Sequence, residues 1–192
     1  RELRVVGTSV PRDDAIDKVT GAARYTTDLA LPGMLHAAIL TSPHASARIV
    51  RVDLTDARSV PGVRAVLVGS DLDVRLGLYL RDKRILARDV VRYQGESVAA
   101  VAADTLDAAR EGCRRIRVEY EELPAVLDPR DAMAAGAPLV HPDLAGYDHM
   151  RGVFFPKPGT NVAHHQKIRK GDAPASLAAA DVRLEASFYN PP

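Results

Sequence analysis

Residues 97–123 change their hydrophobic period twice, and this change restricts the chain to folds that combine helices with a sheet. The first part, SVAAVAAD at 97–104, is a run of small apolar residues that predicts a strand. Apolar residues then recur at helical spacing, at Leu106, Ala109, Cys113 and Ile116. Asp104 or Thr105 precedes them as a helix N-cap. The last part, RIRVEYEEL, alternates apolar and charged residues, so the segment is predicted to be strand, helix, strand.

The chain before this segment predicts three more strands and a short helix. MLHAAILT at 34–41 is typical of a buried strand, and ARIVRVDL at 47–54 predicts the next one after a Pro-containing turn. LTDARSVPGV at 54–63 predicts a short helical turn that ends at a Pro-Gly pair. VRAVLVG at 63–69 is a run rich in β-branched valine and indicates a strand covered on both faces. Residues 71–96 show no sustained period, so we expect a loop with short strands there.

The chain after residue 123 loses its regular pattern for a long stretch. Pro124 ends the preceding strand, and DPRDAMAAGA at 128–137 predicts a short helix that Gly136 ends. From His141 to His165 the chain is rich in Gly and Pro and has no apolar period. We interpret that stretch as a connecting segment at a domain boundary.

Order is predicted to return at GDAPASLAAADVRLEASFY, residues 171–189. Asp172 is a candidate N-cap, Pro174 suits the first turn, and an Ala-rich helix follows. The next residues alternate as in a strand, with an apolar side formed by Val182, Leu184, Ala186 and Phe188. A lone strand is not stable without a partner, and no partner precedes it, so we expect the sequence to be a piece of something longer.

Composition limits the classes of partner and location. The 192 residues carry 26 basic and 25 acidic side chains, with three Phe and no Trp, so we expect no nucleic-acid partner. No apolar run approaches the roughly 20 residues of a membrane span. The N-terminal stretch also lacks the apolar core of a signal peptide. We therefore expect a cytoplasmic protein that does not contact membranes. The single cysteine excludes a disulfide framework and a cysteine-ligated metal cluster made by this chain alone.

The residues of this sequence do not form a recognisable catalytic combination. The nucleotide-binding glycine motifs and the G-x-S-x-G nucleophile motif are missing from the sequence. Gly95, in YQGES, is interpreted as a turn or bulge residue. Cys113 falls on the apolar stripe of its helix, which favours a core residue over a reactive thiolate. The acidic pairs Asp13-Asp14 and Glu121-Glu122 are interpreted as solvated faces, because neighbours in sequence do not face one another.

The histidines do not predict a metal site. His164 and His165 are adjacent, so their side chains point in different directions in a strand and in a helix. His36 lies within a strand pattern and is interpreted as a core or edge residue. His141 and His149 lie in the connecting segment, where we expect solvated side chains.

Five blocks of sequence, in order, carry a family resemblance. They are DAIDKVTGAARYTTDL, LPGMLHAAILTSPHASARI, VDLTDARSVPGVRAVLVGSDL, ILARDVVRYQGESVAAVAADT and AREGCRRIRVEYEELPAVLDPRDAM. Together they resemble the start of the large, molybdenum-cofactor subunit of the xanthine dehydrogenase and aldehyde oxidase family. Aerobic carbon monoxide dehydrogenase and 4-hydroxybenzoyl-CoA reductase belong to the same family. The resemblance covers nearly the whole chain.

The resemblance implies an α+β fold and a position within a larger enzyme. Residues 1–136 would form the α/β-hammerhead domain, a mixed sheet with short helices. Residues 137–192 would be a linker and the incomplete N-terminal segment of a molybdenum-cofactor-binding domain. The complete enzyme would be a molybdopterin-dependent oxidoreductase that hydroxylates or reduces a carbon centre, with water as the oxygen source.

The resemblance also implies where the cofactors lie. Molybdenum-molybdopterin would be bound by the downstream domains, and iron–sulfur clusters and FAD by partner domains or subunits of the same complex. The family's metal-site motifs lie beyond residue 192, so we assign no catalytic, cofactor-binding or metal residue to this chain. The chain alone is expected to be structural and inactive. Its apolar tail is expected either to self-associate or to fold back on the hammerhead. An alternative is a standalone binding or scaffolding module without enzymatic activity.

The turn TSPHASARI, residues 41–49, allows two interpretations. In the first it is structural: the hydroxyls of Ser42 and Ser46 bond backbone groups and Pro43 fixes the bend. In the second it is a contact surface for the cofactor domains or a redox partner, with His44 and Arg48 as donors. The sequence favours the first interpretation and leaves the second open.

Overall fold

A computed structural model describes residues 5–190 of the chain. The α-helices are α1 (Ala15–Thr20), α2 (Thr55–Arg58), α3 (Leu106–Arg115), α4 (Pro129–Ala132) and α5 (Ala173–Ala178). The strands are β1 (His36–Thr41), β2 (Ala47–Asp53), β3 (Val63–Val68), β4 (Arg75–Leu76), β5 (Lys83–Arg84), β6 (Val90–Val91), β7 (Ser97–Ala103) and β8 (Arg117–Glu122). Short 3₁₀ helices occur at Thr26–Asp28, Gly69–Asp71 and Leu144–Gly146. The expected mixture of strands and short helices is confirmed.

The strands form three small sheets, and the chain divides into two compact units. The sheet orders are β1-β7-β3, β6-β2-β8 and β4-β5. Strand β2 pairs antiparallel with β6, with Ala47 opposite Val91. The first unit contains the chain up to Leu40, from Val52 to Leu67 and from Ala99 to Val118. The second contains Thr41 to Arg51, Val68 to Val98 and the chain from Glu119 onward.

Strand β7 and helix α3 supply most of the core of the first unit. Ala99, Val101 and Ala103 of β7 are fully buried, as is Ala109 of α3. Thr105 caps α3, where its side-chain oxygen accepts a hydrogen bond from the backbone N–H of Ala108 at 3.2 Å. The strand, the helix and the N-cap are therefore confirmed. They form as predicted because the apolar period in this segment is local and the cap is a β-region Thr.

Close packing between α3 and its sheet depends on a glycine. A Cβ on Gly112 would lie 2.8 Å from Cγ1 of Val101 and 3.2 Å from Cγ2 of Val63. Separations this short leave no room for a methyl group without a shift of the valine side chains. The absent side chain at Gly112 thus lets the helix approach β7 and β3.

Two predicted strands are in place but are not buried as expected. Ile39 of β1 is 51% exposed, and only Val66 of β3 is buried. The two strands occupy the outer positions of a three-stranded sheet and so have a neighbouring strand on one side only. A short apolar run does not distinguish a strand covered on both faces from one covered on one face. The predictions of a buried β1 and a fully covered β3 were therefore wrong.

The second unit has its own buried cluster, formed by Leu80, Leu144 and Tyr147 with Phe154 packed against it. Leu80 forms an isolated antiparallel bridge with His149. The backbone N–H of Arg81 donates to the carbonyl of Asp148 at 2.9 Å. The connecting segment thus lacks long elements, as expected, but it contributes two residues to a core.

The C-terminal part of the described chain forms its helix but not its strand. Asp172 caps α5 as predicted and accepts a hydrogen bond from the N–H of Ala175 at 3.0 Å. Residues 182–189 contain no strand, and the side chains of Leu184 and Phe188 are 93% and 94% exposed. The predicted strand is wrong because alternation alone does not make a strand without a neighbour to pair with. Helix α4 also ends at Ala132, before the Gly136 that was expected to end it.

Candidate functional site

The turn after β1 is built around the buried side chain of Ser42, which is 2% exposed. Its hydroxyl accepts a hydrogen bond from the N–H of His44 at 3.0 Å and donates to the carbonyl of His44 at 3.1 Å. The Ser42 backbone N–H donates to the carbonyl of Glu96, and the N–H of Gly95 donates to the carbonyl of Ser42, both at 2.8 Å. Gly95 has a φ of 92° and lies in a turn, as predicted. The structural interpretation of the turn is confirmed at Ser42.

At Ser46 the same interpretation was wrong. Its carbonyl accepts a hydrogen bond from the N–H of Leu123 at 3.0 Å. Among the residues that the structure describes, no hydrogen bond of the Ser46 hydroxyl is seen. The contact is between main-chain groups of two neighbouring segments, so the hydroxyl is not what fixes the turn at this position.

The two donors of the turn contact acidic residues of β8. Nδ1 of His44 lies 3.3 Å from Oε1 of Glu122, and the His44 ring lies 4.9 Å from the Tyr120 ring, centroid to centroid. Nη1 of Arg48 lies 2.9 Å from Oε2 of Glu121. Both glutamates are exposed, as predicted. The use of His44 and Arg48 as donors to another domain or protein stays a prediction.

A cavity of about 570 Å³ lies within the second unit and is lined by four arginines. We call it the arginine cavity, after Arg75, Arg84, Arg88 and Arg92. A largely apolar wall, which includes Leu123, Leu127, Leu139 and Val140, completes its lining. The lining comes from separate stretches of sequence, and the arginines lie in the loop region without a period. No sequence pattern therefore predicted this site, and the several arginines between residues 75 and 92 are the one feature of the sequence that points to it.

Two of these arginines are paired with carboxylates. Arg84, whose side chain is 13% exposed, places Nη1 2.9 Å from Oδ1 of Asp73. Arg88 makes longer contacts, with Nη1 3.8 Å from Oδ1 of Asp73 and Nε 3.7 Å from Oδ1 of Asp89. The Arg84 guanidinium, followed by that of Arg88, holds the pKa of Asp73 below its usual range. Arg84 and Arg88 are thus largely neutralised within the protein.

The other two arginines have neutral contacts. Arg92 donates from Nε to the carbonyl of Val140 at 3.2 Å and from Nη1 to the carbonyl of Val90 at 3.3 Å. The guanidinium of Arg75 lies over the Tyr147 ring, 4.5 Å from its centroid. Nη1 of Arg75 is buried and has no hydrogen-bond partner among the described residues. Among the described residues, neither guanidinium forms an ion pair with a carboxylate, although the charge of Arg92 acts on Glu96 and that of Arg75 acts on Asp73.

His141 lies close to this arginine pair. Its side chain is only 23% exposed, with Nε2 3.5 Å from Oδ2 of Asp82 and Nδ1 3.2 Å from the Tyr147 hydroxyl. Burial lowers the pKa of His141, the charges of Arg92 and Arg75 lower it further, and Asp82 opposes them. The prediction of a solvated His141 was therefore wrong, because the connecting segment packs into the second unit.

The other histidines occupy several environments. His149 is half-buried, contrary to prediction, with Nδ1 3.3 Å from the carbonyl of Tyr147. The His164 ring stacks on Phe154, with the centroids 4.6 Å apart, while its neighbour His165 is exposed. His36 is exposed on the outer strand β1, which agrees with an edge position.

Residues that commonly bind metals are dispersed. Within residues 5–190, no group of three or more His, Cys, Asp or Glu side chains is placed to hold a metal ion. Cys113 is buried, as predicted, and burial raises the pKa of its thiol. A buried, protonated thiol is a poor metal ligand and a poor nucleophile. In the same part of the chain, no helix has the length and apolar character that a membrane crossing requires.

Comparison with known proteins places the chain in a family. The family model for the aldehyde oxidase and xanthine dehydrogenase a/b hammerhead domain matches residues 20–124. The nicotinate dehydrogenase large molybdopterin subunit of Eubacterium barkeri is 30% identical over 190 residues, which are 98% of this chain and 41% of that protein. The carbon monoxide dehydrogenase large chain of Hydrogenophaga pseudoflava is 34% identical over an alignment of 206 residues, which covers 100% of this chain and 24% of that protein.

Solved structures agree with the sequence relatives. Reconstituted CO dehydrogenase from Oligotropha carboxidovorans is similar with a TM-score of 0.73 and 30% identity, over 92% of this chain and 22% of that chain. The chain thus spans less than half of the length of each of these proteins. The family model, the relatives and the fold confirm the resemblance seen in the sequence and the α+β hammerhead class. The chain belongs to the aldehyde oxidase and xanthine dehydrogenase family and contains its α/β-hammerhead domain.

Proposed function

We propose that this chain is the N-terminal part of a cytoplasmic, molybdopterin-dependent oxidoreductase that hydroxylates or reduces a carbon centre, with water as the oxygen source. The observation that carries the proposal is the hammerhead match over residues 20–124. It is supported by the relative named a large molybdopterin subunit, which aligns with 98% of this chain. Redox chemistry of this kind depends on a cofactor, so the protein contributes binding, orientation and electrostatics.

In this proposal the chain itself is structural and lies between domains or subunits. Its described residues do not fit a molybdenum site: the one cysteine is buried, and no suitable group of ligands is assembled. The molybdenum-molybdopterin would be held by further domains of the same subunit, with iron–sulfur clusters and FAD in partner domains or subunits. These domains and subunits would be the chain's partners, and the donors of the turn at His44 and Arg48 are candidate contacts.

We also propose that the hammerhead spans residues 1–136 and that residues 137–192 link it to a cofactor-binding domain. The family match ends at residue 124, within the proposed hammerhead, which supports the first part of this division. Limited proteolysis of the complete protein tests it. Early cleavage between residues 137 and 170 supports the boundary, and protection of that stretch contradicts it.

The proposed activity is tested on the complete protein purified from its native source. We expect molybdenum, iron and FAD in the purified complex, together with dye reduction by one substrate from a panel of purines, aldehydes, nicotinate and carbon monoxide. A complete protein that contains none of these cofactors would contradict the proposal and favour a standalone binding or scaffolding module.

A further inference from the structure

We propose that the arginine cavity binds a phosphate monoester, with the phosphate between Arg75 and Arg92 and the organic group against the apolar wall. The lining and the charges of this cavity belong to the second unit alone. The inference therefore does not rest on the proposed redox function.

Two of the four arginines that line the cavity are not in ion pairs. Arg84 and Arg88 have carboxylate partners in Asp73 and Asp89, whereas Arg75 and Arg92 form no ion pair with any described residue. Asp143 also lines the cavity but is exposed to solvent. A phosphate monoester carries nearly two negative charges at neutral pH, which matches two guanidinium groups that are not in ion pairs. Its three oxygens accept the paired N–H donors that guanidinium groups present.

The guanidinium of Arg75 has a buried N–H group that lacks a hydrogen-bond acceptor within the described chain. A buried charged group without partners is costly, and Nη1 of Arg75 lacks a partner within the described chain. The contact with Tyr147 compensates one face of the guanidinium but takes none of its N–H groups. An anion beside Arg75 would accept these hydrogen bonds, and the fixed position on the tyrosine ring orients the guanidinium in advance.

The size of the cavity and its apolar wall favour an organic ligand. A volume of about 570 Å³ is far larger than a phosphate ion needs and falls in the range of small-molecule pockets. Leu123, Leu127, Leu139 and Val140 offer apolar surface in the same cavity as the arginines. Such a division suits a ligand with a charged end and a less polar body. An inorganic anion alone would leave that wall without contacts.

Calorimetric titration of the 192-residue chain with AMP, inorganic phosphate and adenosine tests the proposal, at low salt and about pH 7.5. We expect saturable binding of AMP, weaker binding of phosphate and no binding of adenosine. Arg75→Met and Arg92→Met should each weaken AMP binding about tenfold or more, as expected for the loss of charged hydrogen bonds. Methionine keeps much of the apolar stem at each position.

Arg110→Met is the matched control, because Arg110 is an exposed arginine of α3 in the other unit. It should leave AMP binding unchanged, and an equal loss in this variant would overturn the proposal by showing non-specific attraction. Absence of saturable AMP binding, or phosphate binding tighter than AMP, would overturn it as well.

The pKa of His141, measured by NMR in the unsubstituted chain, gives a second test that does not depend on the folding of a variant. Bound AMP should raise the pKa of His141, and an unchanged pKa under saturating AMP counts against the site.

Discussion

The guanidinium of Arg75 lies 4.5 Å from the centroid of the buried Tyr147 ring. The two residues are far apart in sequence, and the contact joins the start of the loop region to the connecting segment. Tyr147 also packs with Leu80 and Leu144 and places its hydroxyl 3.2 Å from His141. The Tyr147 side chain thus packs in the core of the second unit and also contacts Arg75 and His141.

Truncation of this ring should be costly. We expect Tyr147→Ala to lower the free energy of unfolding by about 3–5 kcal/mol, as for other large buried aromatic residues. Tyr147→Phe keeps the ring and loses only the contact with His141, so its loss should be about 1 kcal/mol or less. Urea unfolding followed by circular dichroism measures both. Equal losses of unfolding free energy in the two variants would show that the hydroxyl, and not the ring, stabilises the protein.

A methyl group at Gly112 should disturb the contact between α3 and its sheet. The added Cβ would lie 2.8 Å from Cγ1 of Val101, and overpacking of a core typically costs about 1–3 kcal/mol. The better helix propensity of Ala offsets about 1 kcal/mol of that cost. We expect a net loss of stability for Gly112→Ala in thermal or urea unfolding.

Gly146→Ala is the control for this substitution. A Cβ there meets no atom within 4 Å, and Gly146 has no positive φ, so stability should change by about 0.5 kcal/mol or less. A Gly112→Ala protein as stable as the Gly146→Ala protein would show that the helix has room to move away from β7.

The turn after β1 should depend on one serine and not on the other. Ser42→Ala removes a buried hydroxyl that accepts from the N–H of His44, so we expect a loss of about 1–3 kcal/mol. Ser46→Ala leaves the contact of the Ser46 carbonyl with Leu123 in place and should be nearly neutral. Unfolding midpoints of the two variants give the comparison. A larger loss at Ser46 would restore the interpretation in which both hydroxyls hold the turn.

Glu96 should make stability fall as pH rises above 4.5. Burial raises the pKa of Glu96 from 4.5, while the backbone hydrogen bond and the charge of Arg92, and a hydrogen bond from the backbone of Tyr93, oppose the shift. Below pH 4.5 the carboxyl is largely protonated in both the folded and the unfolded state. Above it the unfolded state loses the proton first, so the unfolding free energy decreases until the folded pKa is passed.

Glu96→Gln removes this titration, and Gln can still accept the hydrogen bond from the N–H of Arg92. The variant should therefore gain stability relative to the original protein as pH rises above 4.5. Carboxylates with a lowered pKa, such as Asp73 and Asp104, lose stability at lower pH in both proteins and cancel in the difference. Urea unfolding at a series of pH values measures that difference. A relative gain by the original protein over this range would contradict the assignment.

Local patterns predicted the elements whose evidence is local. The period and cap of α3, the small apolar residues of β7 and the Asp172 cap of α5 each lie within a few neighbouring residues. Burial of β1 and β3 depends on their outer positions in the sheet, which no single stretch of sequence encodes. The apolar alternation after residue 181 failed for a similar reason, since a strand requires a partner.

The candidate site was even less visible, because it is assembled from distant stretches. Arg75 and Arg92 come from the loop region, while Leu123 and Val140 flank α4. His141 looked like a solvated side chain in a segment without a period, yet the fold half-buries it. Only the tertiary arrangement brings these groups together, so residue spacing carried no information about them.

We expect this chain to contribute structure to a molybdenum enzyme and to hold no redox cofactor itself. The metal content of the purified 192-residue chain, produced in a host that makes molybdopterin, tests this expectation, together with a dye-reduction assay on the same sample. No stoichiometric molybdenum and no reduction of dye with purines or aldehydes are expected. Stoichiometric molybdenum in a folded, active chain would contradict it.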